Sequence, residues 1–225
     1  MKHKEWVMGA ALASLWACGS PEQATVEQFF RAARTDDSAT VAAMSAVAPP
    51  EAVESWEVVE ISSQSTEPFA LPGLLAELKA AEEERDANLE QGREYMAEHQ
   101  EDVDTITAKL QEDPAYVYSG DMGEVQAAWN ELLEGRRSTE RAYQEIKREV
   151  DDETKLATKS VVRQANLAEL NGSVAVTEML LMLKLEGAEP KPYTVQLRKY
   201  DLSGGDGPAE TSRWVIVDIQ EKEPT

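Results

Sequence analysis

One cysteine and two histidines are the side chains of this chain that could support nucleophilic or metal chemistry. Cys18 is the sole cysteine, and His3 and His99 are the two histidines in 225 residues. A serine or cysteine nucleophile needs a neighbouring histidine as its base, and a zinc site needs several cysteine or histidine ligands. His99 falls in the middle of a long helical pattern, where we expect it to form a polar layer beside Arg136. The sequence therefore favours neither Ser/Cys–His catalysis nor a zinc centre.

A glycine-rich loop near the carboxyl terminus is the second place where an ion could bind. Residues 201–207 read Asp-Leu-Ser-Gly-Gly-Asp-Gly, which hints at a calcium loop. An EF-hand loop also needs alternating ligands and a bidentate glutamate, and both are missing here. We expect a polar turn at this position and no bound metal or cofactor.

The first twenty residues are organised as a secretory signal. A basic start at residues 2–4 precedes an apolar run from Trp6 to Ala17, and the small, turn-prone Gly19-Ser20-Pro21 follows. This order is typical of a secretory signal. About a dozen apolar residues cannot cross a hydrocarbon core of ~30 Å, which needs roughly 20. We therefore do not expect a transmembrane helix.

The residues Leu15-Trp16-Ala17-Cys18 resemble the lipobox of a bacterial lipoprotein. That family's motif has an aliphatic residue three positions before the cysteine, as Leu15 is, and a small residue directly before it, as Ala17 is. Trp16 is bulkier than the motif, and Glu5 is unusual in the basic start. The resemblance implies that residues 1–17 are removed and that Cys18 carries lipid. The alternatives are an ordinary signal cut elsewhere, or a buried helix with an incidental cysteine.

The resemblance also implies a location. One acyl chain holds a protein weakly, so stable anchoring needs the several chains that lipoprotein processing supplies. Gly19 after Cys18, where an aspartate is absent, is the pattern associated with outer-membrane sorting in Gram-negative bacteria. We expect a lipid-anchored protein of the cell envelope, facing the periplasm from the outer membrane if the host is Gram-negative.

The chain is strongly acidic. It has 22 Lys and Arg against 43 Asp and Glu, a net charge of −21, which becomes −22 when residues 1–17 are removed. Such a chain has no basic surface for the phosphates of nucleic acid, and anionic lipid headgroups repel it. The membrane contact must then come from the lipid. Because no cysteine follows Cys18, no internal disulfide can form, and burial must supply the stability.

The folded part is predicted to open with two helices and a strand. Thr25 and Gln28 are spaced as a capping box, which predicts a helix from Thr25. Residues 36–38 break it and cap a second short helix that ends before Pro49-Pro50. A strand is predicted over 56–61, followed by a polar stretch up to Pro68.

From Leu71 the apolar positions step alternately by three and four, which is typical of a coiled-coil seam. Two such segments flank a turn at residues 113–120. Paired antiparallel, the segments predict a helical hairpin over 71–157 with arms of roughly 40 residues, about 60 Å long. In that register Gly92 faces Tyr143. The alternative is two separate amphipathic helices folded onto a globular core.

After the hairpin the period becomes two. Strands are predicted over 159–170, 173–185, 193–197 and 213–219, with Asn171-Gly172 as a hairpin turn. These strands form an antiparallel meander. Since residues 179–183 are apolar on both faces, the second face must be covered by the hairpin base, a second subunit or a ligand.

This order of elements is similar to the nuclear-transport-factor-2-like, cystatin-like fold. The residues that carry the resemblance are Val26 to Ala33 with Asp36-Asp37, and Trp214 to Ile219. The resemblance implies an α+β fold in which N-terminal helices pack on a curved, cone-like antiparallel sheet, with the long antiparallel coiled-coil hairpin inserted. The expected parts are the signal 1–17, a lipidated start and linker 18–24, the cone domain 25–70 plus 158–220, the hairpin 71–157, and a tail 221–225.

Members of that fold family include enzymes, small-ligand pockets and membrane-anchored proteins, so the fold does not select a function. Its enzymes use a carboxylate or tyrosine inside the cone, and here Tyr193, Tyr200, Glu178 and Asp218 could point there. We expect a non-enzymatic interaction or spacer module that binds another envelope protein. The alternative is a pocket for a small apolar ligand, with or without weak enzymatic activity. The oligomeric state stays open.

Overall fold

The computed structural model describes residues 20–162, 166–204 and 212–222, so Cys18, the predicted signal peptide and part of the loop 201–207 lie outside it. Within these ranges the chain is an α+β protein, as predicted. The helices are α1 Pro21–Arg34, α2 Ser38–Met44, α3 Leu71–Glu98, α4 Gln100–Glu112 and α5 Asp121–Ser160. The strands are β1 Val53–Ile61, β2 Ser65–Pro68, β3 Asn171–Leu185, β4 Lys191–Ser203 and β5 Val215–Glu221.

The sheet is antiparallel and is built around the long strand β3. Its order is β1-β3-β4-β5, and β2 pairs with β3 on the same edge as β1. Ser62 lies between β1 and β2 and is bound to β3 as well, because its Oγ accepts from the backbone amide of Glu178 at 2.9 Å. The segment 65–68, predicted as a polar stretch, is therefore a strand. The antiparallel sheet itself is confirmed.

The predicted strand over 159–170 is wrong. Helix α5 runs on to Ser160, and a short 3-10 helix at Leu167–Glu169 precedes β3. Asn171-Gly172 is likewise no turn, since both residues pair with β4. Gly172 has φ +152°, and a Cβ there would lie 2.2 Å from the carbonyl oxygen of Asp201. The glycine is explained by this close approach of two strands.

The predicted start of the first helix is also wrong. The cap is Ser20, whose Oγ accepts from the amide of Gln23 at 3.3 Å, and the helix begins at Pro21. Thr25 is already inside, with its hydroxyl donating to the carbonyl of Pro21 at 2.9 Å. A serine followed by proline is a strong helix start, because proline lacks an amide that would need a partner. The first helix therefore begins inside the segment 18–24 that was predicted as a linker.

Both faces of the sheet are covered, each by a different part of the chain. The side that faces α1 holds a core of thirteen buried side chains: Val26, Phe29, Phe30, Val53, Ala175, Met179, Leu181, Leu183, Tyr193, Val195, Leu197, Trp214 and Ile216. The other side holds a second core near β2. Its members are Phe69, Leu71, Val150, Ala157, Val161, Leu170, Val174, Val176, Tyr200 and Leu202. The bases of α3 and α5 therefore cover the second face at this end of the sheet.

Helices α3 and α5 pack antiparallel, but in a different register from the one predicted. The Arg85 guanidinium carbon lies 4.2 Å from the centre of the Tyr143 ring, so Tyr143 meets Arg85 and not Gly92. Closer to the start of α5, the rings of Tyr95 and Trp129 stack with centroids 6.3 Å apart. Both contacts place α3 two to three helical turns away from the predicted pairing.

The cause of the shift is a break at His99. Helix α3 ends at Glu98 and α4 begins at Gln100, so no continuous helix reaches Leu110. The hydroxyl of Tyr95, near the end of α3, donates to the carbonyl of Val125 at 3.3 Å. Leu110, near the end of α4, lines a cavity with Gln126. The C-terminal ends of α3 and α4 therefore lie beside the same part of α5, and α4 does not continue along the axis of α3.

Helix α5 determines how far these helices extend from the sheet. Its buried end includes Val150, and 29 residues at 1.5 Å each separate Val150 from Asp121, about 44 Å along the axis. In the described part of the chain, no helix combines the length and the apolar character needed to span a membrane.

Candidate interaction site

The four residues predicted for a pocket do not come together. Tyr193 lies in the core that faces α1, with its hydroxyl 3.3 Å from Oε2 of Glu221, whereas Tyr200 lies in the core on the opposite side of the sheet. Glu178 is exposed and Asp218 is partly buried, and one strand separates them in the sheet. Burial, followed by the nearby Glu221 carboxylate, raises the pKa of Tyr193. This arrangement contains no shared acid–base site among the four.

Tyr200 instead belongs to a polar cluster that fastens α5 to the sheet. Its hydroxyl donates to Oε2 of Glu153 at 3.1 Å, and Nη1 of Arg198 lies 3.4 Å from the same oxygen. Arg198 also donates to Glu67 of β2 at 3.0 Å. Burial, and secondly the Glu153 carboxylate, raise the pKa of Tyr200 well above its ordinary value. The buried phenol is therefore held as a neutral donor to Glu153.

His99, expected in a polar layer beside Arg136, occupies the junction between α3 and α4. Its ring packs on that of Tyr95 with centroids 4.5 Å apart. Within the described ranges, no group of three or more His, Cys, Asp or Glu residues is placed to hold a metal ion.

The middle of the α3–α5 pair has an open groove of about 500 Å³ on one side. Gly135 lies where the two helices meet, since a Cβ there would lie 2.8 Å from Nδ2 of Asn88. Gly92, by contrast, has nothing within 4 Å of a Cβ placed on it. Two arginines, Arg93 and Arg136, also border the groove. The apolar side chains that line it are all partly exposed: Leu89, Met96, Trp129, Leu132 and Leu133.

A second groove runs along the other side of the same helix pair. Its lining includes the carboxylates of Glu94, Glu98 and Glu131. One side of the pair is thus apolar with arginines, and the other is acidic. Such a surface suits contact with another macromolecule better than it suits enclosure of a small substrate.

The far end of the pair, which we call the distal end, comprises residues 100–126. Val103 and Ile106 of α4 are buried there, and Gln126 of α5 is 6% exposed. Both ends of the Gln126 amide are hydrogen-bonded: Nε2 donates to the carbonyl of Tyr116, and Oε1 accepts from the amide of Tyr118, both at 2.9 Å. This glutamine therefore holds the loop between α4 and α5 at two backbone positions.

The residue between those two positions points away from the fold. Val117 is 79% exposed, the most exposed large apolar side chain of the described residues. The Tyr116 ring packs edge-on against Tyr118 at 4.8 Å between centroids, and Nζ of Lys109 lies 5.4 Å from the Tyr116 ring centre. An apolar side chain is thus held out by an ordered backbone. Nothing in the sequence indicated that Gln126 binds this loop, because glutamine is common in helices.

No family model matches this chain, nor does any curated protein or solved structure. The resemblances to lipoproteins and to the nuclear-transport-factor-2-like fold therefore stay predictions. The function has to be inferred from the arrangement of these residues.

Proposed function

We propose that this chain is a lipid-anchored protein of the cell envelope that acts as a non-enzymatic interaction or spacer module. Cys18 carries the lipid, residues 1–17 are the signal peptide, and a cone-like α+β domain lies near the membrane. The helices over 71–157 form the inserted hairpin that meets a partner protein of the envelope. On a Gram-negative host the location is the outer membrane, facing the periplasm.

The observation that carries this proposal is the open apolar groove between α3 and α5. Leu89, Met96 and Trp129 are partly exposed in it, far from the two cores of the sheet. Partly exposed apolar side chains beside charged ones are typical of surfaces that other proteins cover. Because α5 extends about 44 Å beyond Val150, this surface is accessible at a distance from the domain.

The packing of the sheet supports a non-enzymatic role. Large side chains of α1, among them Phe29 and Phe30, are buried in the core between this helix and the sheet. Tyr193 and Tyr200 lie on opposite faces, so they do not share a site with each other.

A crosslinking experiment in intact cells tests the interaction. A photoreactive residue replaces Glu90 or Glu134, which are exposed neighbours of the groove residues Leu89 and Leu133. We expect one dominant partner from these positions and none from a matched probe at Glu186, in the turn after β3. Equal labelling from all three positions, or no labelling, would contradict the proposal. In parallel, Cys18→Ala should move the protein to the soluble fraction, and continued membrane retention would rule out the lipid anchor.

A second candidate function is supported by a cavity of about 500 Å³ that is lined mainly by α2 and the segment after it. Its lining is mainly small and apolar, and Lys159, which donates to the carbonyl of Ala42, lies at its edge. This cavity suits a small apolar ligand. Native mass spectrometry of the purified protein would show a co-purifying ligand if this candidate holds, and Ala46→Phe, which adds a ring inside the cavity, should abolish it.

A further inference from the structure

We propose that Val117, held out by Gln126, is the point at which the distal end docks into an apolar socket with a cationic rim on another envelope protein. This inference rests on the proposed interaction function and names the contact and the chemistry of the partner.

The loop between α4 and α5 is already ordered. A buried amide is costly unless its donor and acceptor are both paired, and Gln126 pairs both with the backbone of the loop. The loop is therefore fixed on both sides of Val117. Binding through a fixed loop avoids the entropy cost of ordering it on contact, which favours affinity.

The loop also lies close against the start of α5. A Cβ on Gly123 would lie 2.6 Å from the carbonyl oxygen of Tyr118. That atom belongs to the backbone and cannot rotate away as a side chain could. Glycine at this position therefore allows the loop to lie against the helix, in the place where Gln126 can reach Tyr116 and Tyr118.

The apex of the loop exposes apolar surface. Turn residues are commonly Gly, Pro, Asn, Asp or Ser, whereas the apex here is Tyr-Val-Tyr. Tyr116 adds partly exposed ring surface beside Val117. A rigid apolar side chain with aromatic neighbours is the kind of group that anchors a protein interface in a pocket.

The charge around Val117 favours one kind of binding partner over the others. Residues 109–124 contain Lys109 against Glu112, Asp113, Asp121 and Glu124, so the surroundings of Val117 are acidic. An anionic membrane surface would repel this end, and a second copy would bring the same charge. A protein surface with lysines or arginines around an apolar pocket is the complementary occupant.

The test uses the full-length protein in intact host cells. A photoreactive residue replaces Val117, and a matched probe replaces Val162, a valine 60% exposed at the opposite end of α5. We expect one crosslinked protein from position 117, identified by mass spectrometry, and none from position 162. The same probe combined with Gln126→Leu should lose at least nine-tenths of the product. Circular dichroism of the Gln126→Leu protein checks that its helices remain.

The identified protein is then purified, and its dissociation constant is measured against variants of the full chain. Val117→Ser should weaken binding at least ten-fold, and Val162→Ser should leave it unchanged. Because opposite charges are screened by salt, binding should also weaken as ionic strength rises. A dissociation constant that is insensitive to Val117→Ser, or to salt, overturns the proposal.

Other outcomes overturn the inference in distinguishable ways. Products from position 117 that contain only lipid, or only a second copy of this chain, identify a different occupant and reject the partner. If probes at 90 and 134 give a partner but the probe at 117 gives none, the docking point is wrong and the interaction function stands. If none of the three gives a product, both proposals fail.

Discussion

The hydroxyl of Tyr200 donates to the carboxylate of Glu153 across 3.1 Å, and this bond joins the middle of the sheet to α5. Tyr200 is fully buried and Glu153 is 7% exposed. Arg198 supplies the positive charge beside them. A carboxylate can be buried here because it has both a hydrogen-bond donor and an opposite charge.

Removing that donor should destabilise the fold. We expect Tyr200→Phe to lower the free energy of unfolding by about 1.5–3 kcal/mol, the range for a hydrogen bond to a charged group. Tyr193→Phe is the matched control, because the Tyr193 hydroxyl faces the exposed Glu221. It should cost less than about 1 kcal/mol. Urea unfolding followed by circular dichroism measures both free energies. Equal losses would show that the buried hydrogen bond of Tyr200 contributes no more stability than the one that Tyr193 makes with the exposed Glu221.

The raised pKa of Tyr200 predicts alkaline instability. In the unfolded chain a tyrosine loses its proton near pH 10, whereas in the folded state burial and the Glu153 carboxylate keep Tyr200 protonated. Above about pH 10 the folded state thus binds more protons than the unfolded state, so the free energy of unfolding falls as pH rises. Urea unfolding at pH values from about 9 to 11 should show this fall. A Tyr200→Phe protein with an equally steep fall would contradict the assignment.

Two helical glycines should respond in opposite ways to alanine. Gly92 has open space around it, so Gly92→Ala should raise the free energy of unfolding by about 0.5–1 kcal/mol through helix propensity. Gly123→Ala would press on the backbone of Tyr118 and should lower it by about 1–3 kcal/mol. Thermal and urea unfolding of the two variants provide the comparison. The same sign for both would show that the loop does not lie against α5 as described.

The register of α3 on α5 can be tested by disulfide formation. Cysteines at positions 88 and 135 should crosslink within one chain, since Nδ2 of Asn88 lies 2.8 Å from the position that a Cβ on residue 135 would occupy. Cysteines at positions 92 and 143, the pair expected from a continuous seam, should not. Both pairs are placed in a Cys18→Ser background, and the mobility of the oxidised protein on a denaturing gel reports the bond. A crosslink from the second pair alone would restore the register predicted by the heptads.

The sequence predicted those elements whose apolar period is uninterrupted. The alternation around Tyr193 and Val215 predicted β4 and β5. Residues 36–38 predicted the cap of α2, and the structure shows that Asp37 accepts from the amide of Thr40 at 3.1 Å. The heptads predicted long helices over most of 71–157. These signals are local, and each is set by side chains a few positions apart.

The remaining features depend on contacts between distant parts of the chain. His99 gives no local signal for a helix break, so the seam appeared continuous and the register was wrong. Ser65–Pro68 becomes a strand because the edge of β3 is available beside it. Glu153 is one of 23 acidic residues in 73–157, and nothing in the sequence distinguishes it from the exposed ones. Its burial is decided by the position of Tyr200 and Arg198 in the folded sheet.

The start of α1 at Pro21 has a mechanical consequence. With Cys18 acylated, only Gly19 and Ser20 separate the lipid-bearing residue from the first helical residue. Three residue steps span at most about 10 Å, so the body cannot rise far from the bilayer or turn freely beneath its anchor. With the protein anchored in this way, the continuous helix α5 would keep the distal end at a fixed distance from the sheet. A partner would then be contacted within a narrow range of distances from the membrane. A flexible insert between Cys18 and α1 would widen that range without altering any contact within the fold.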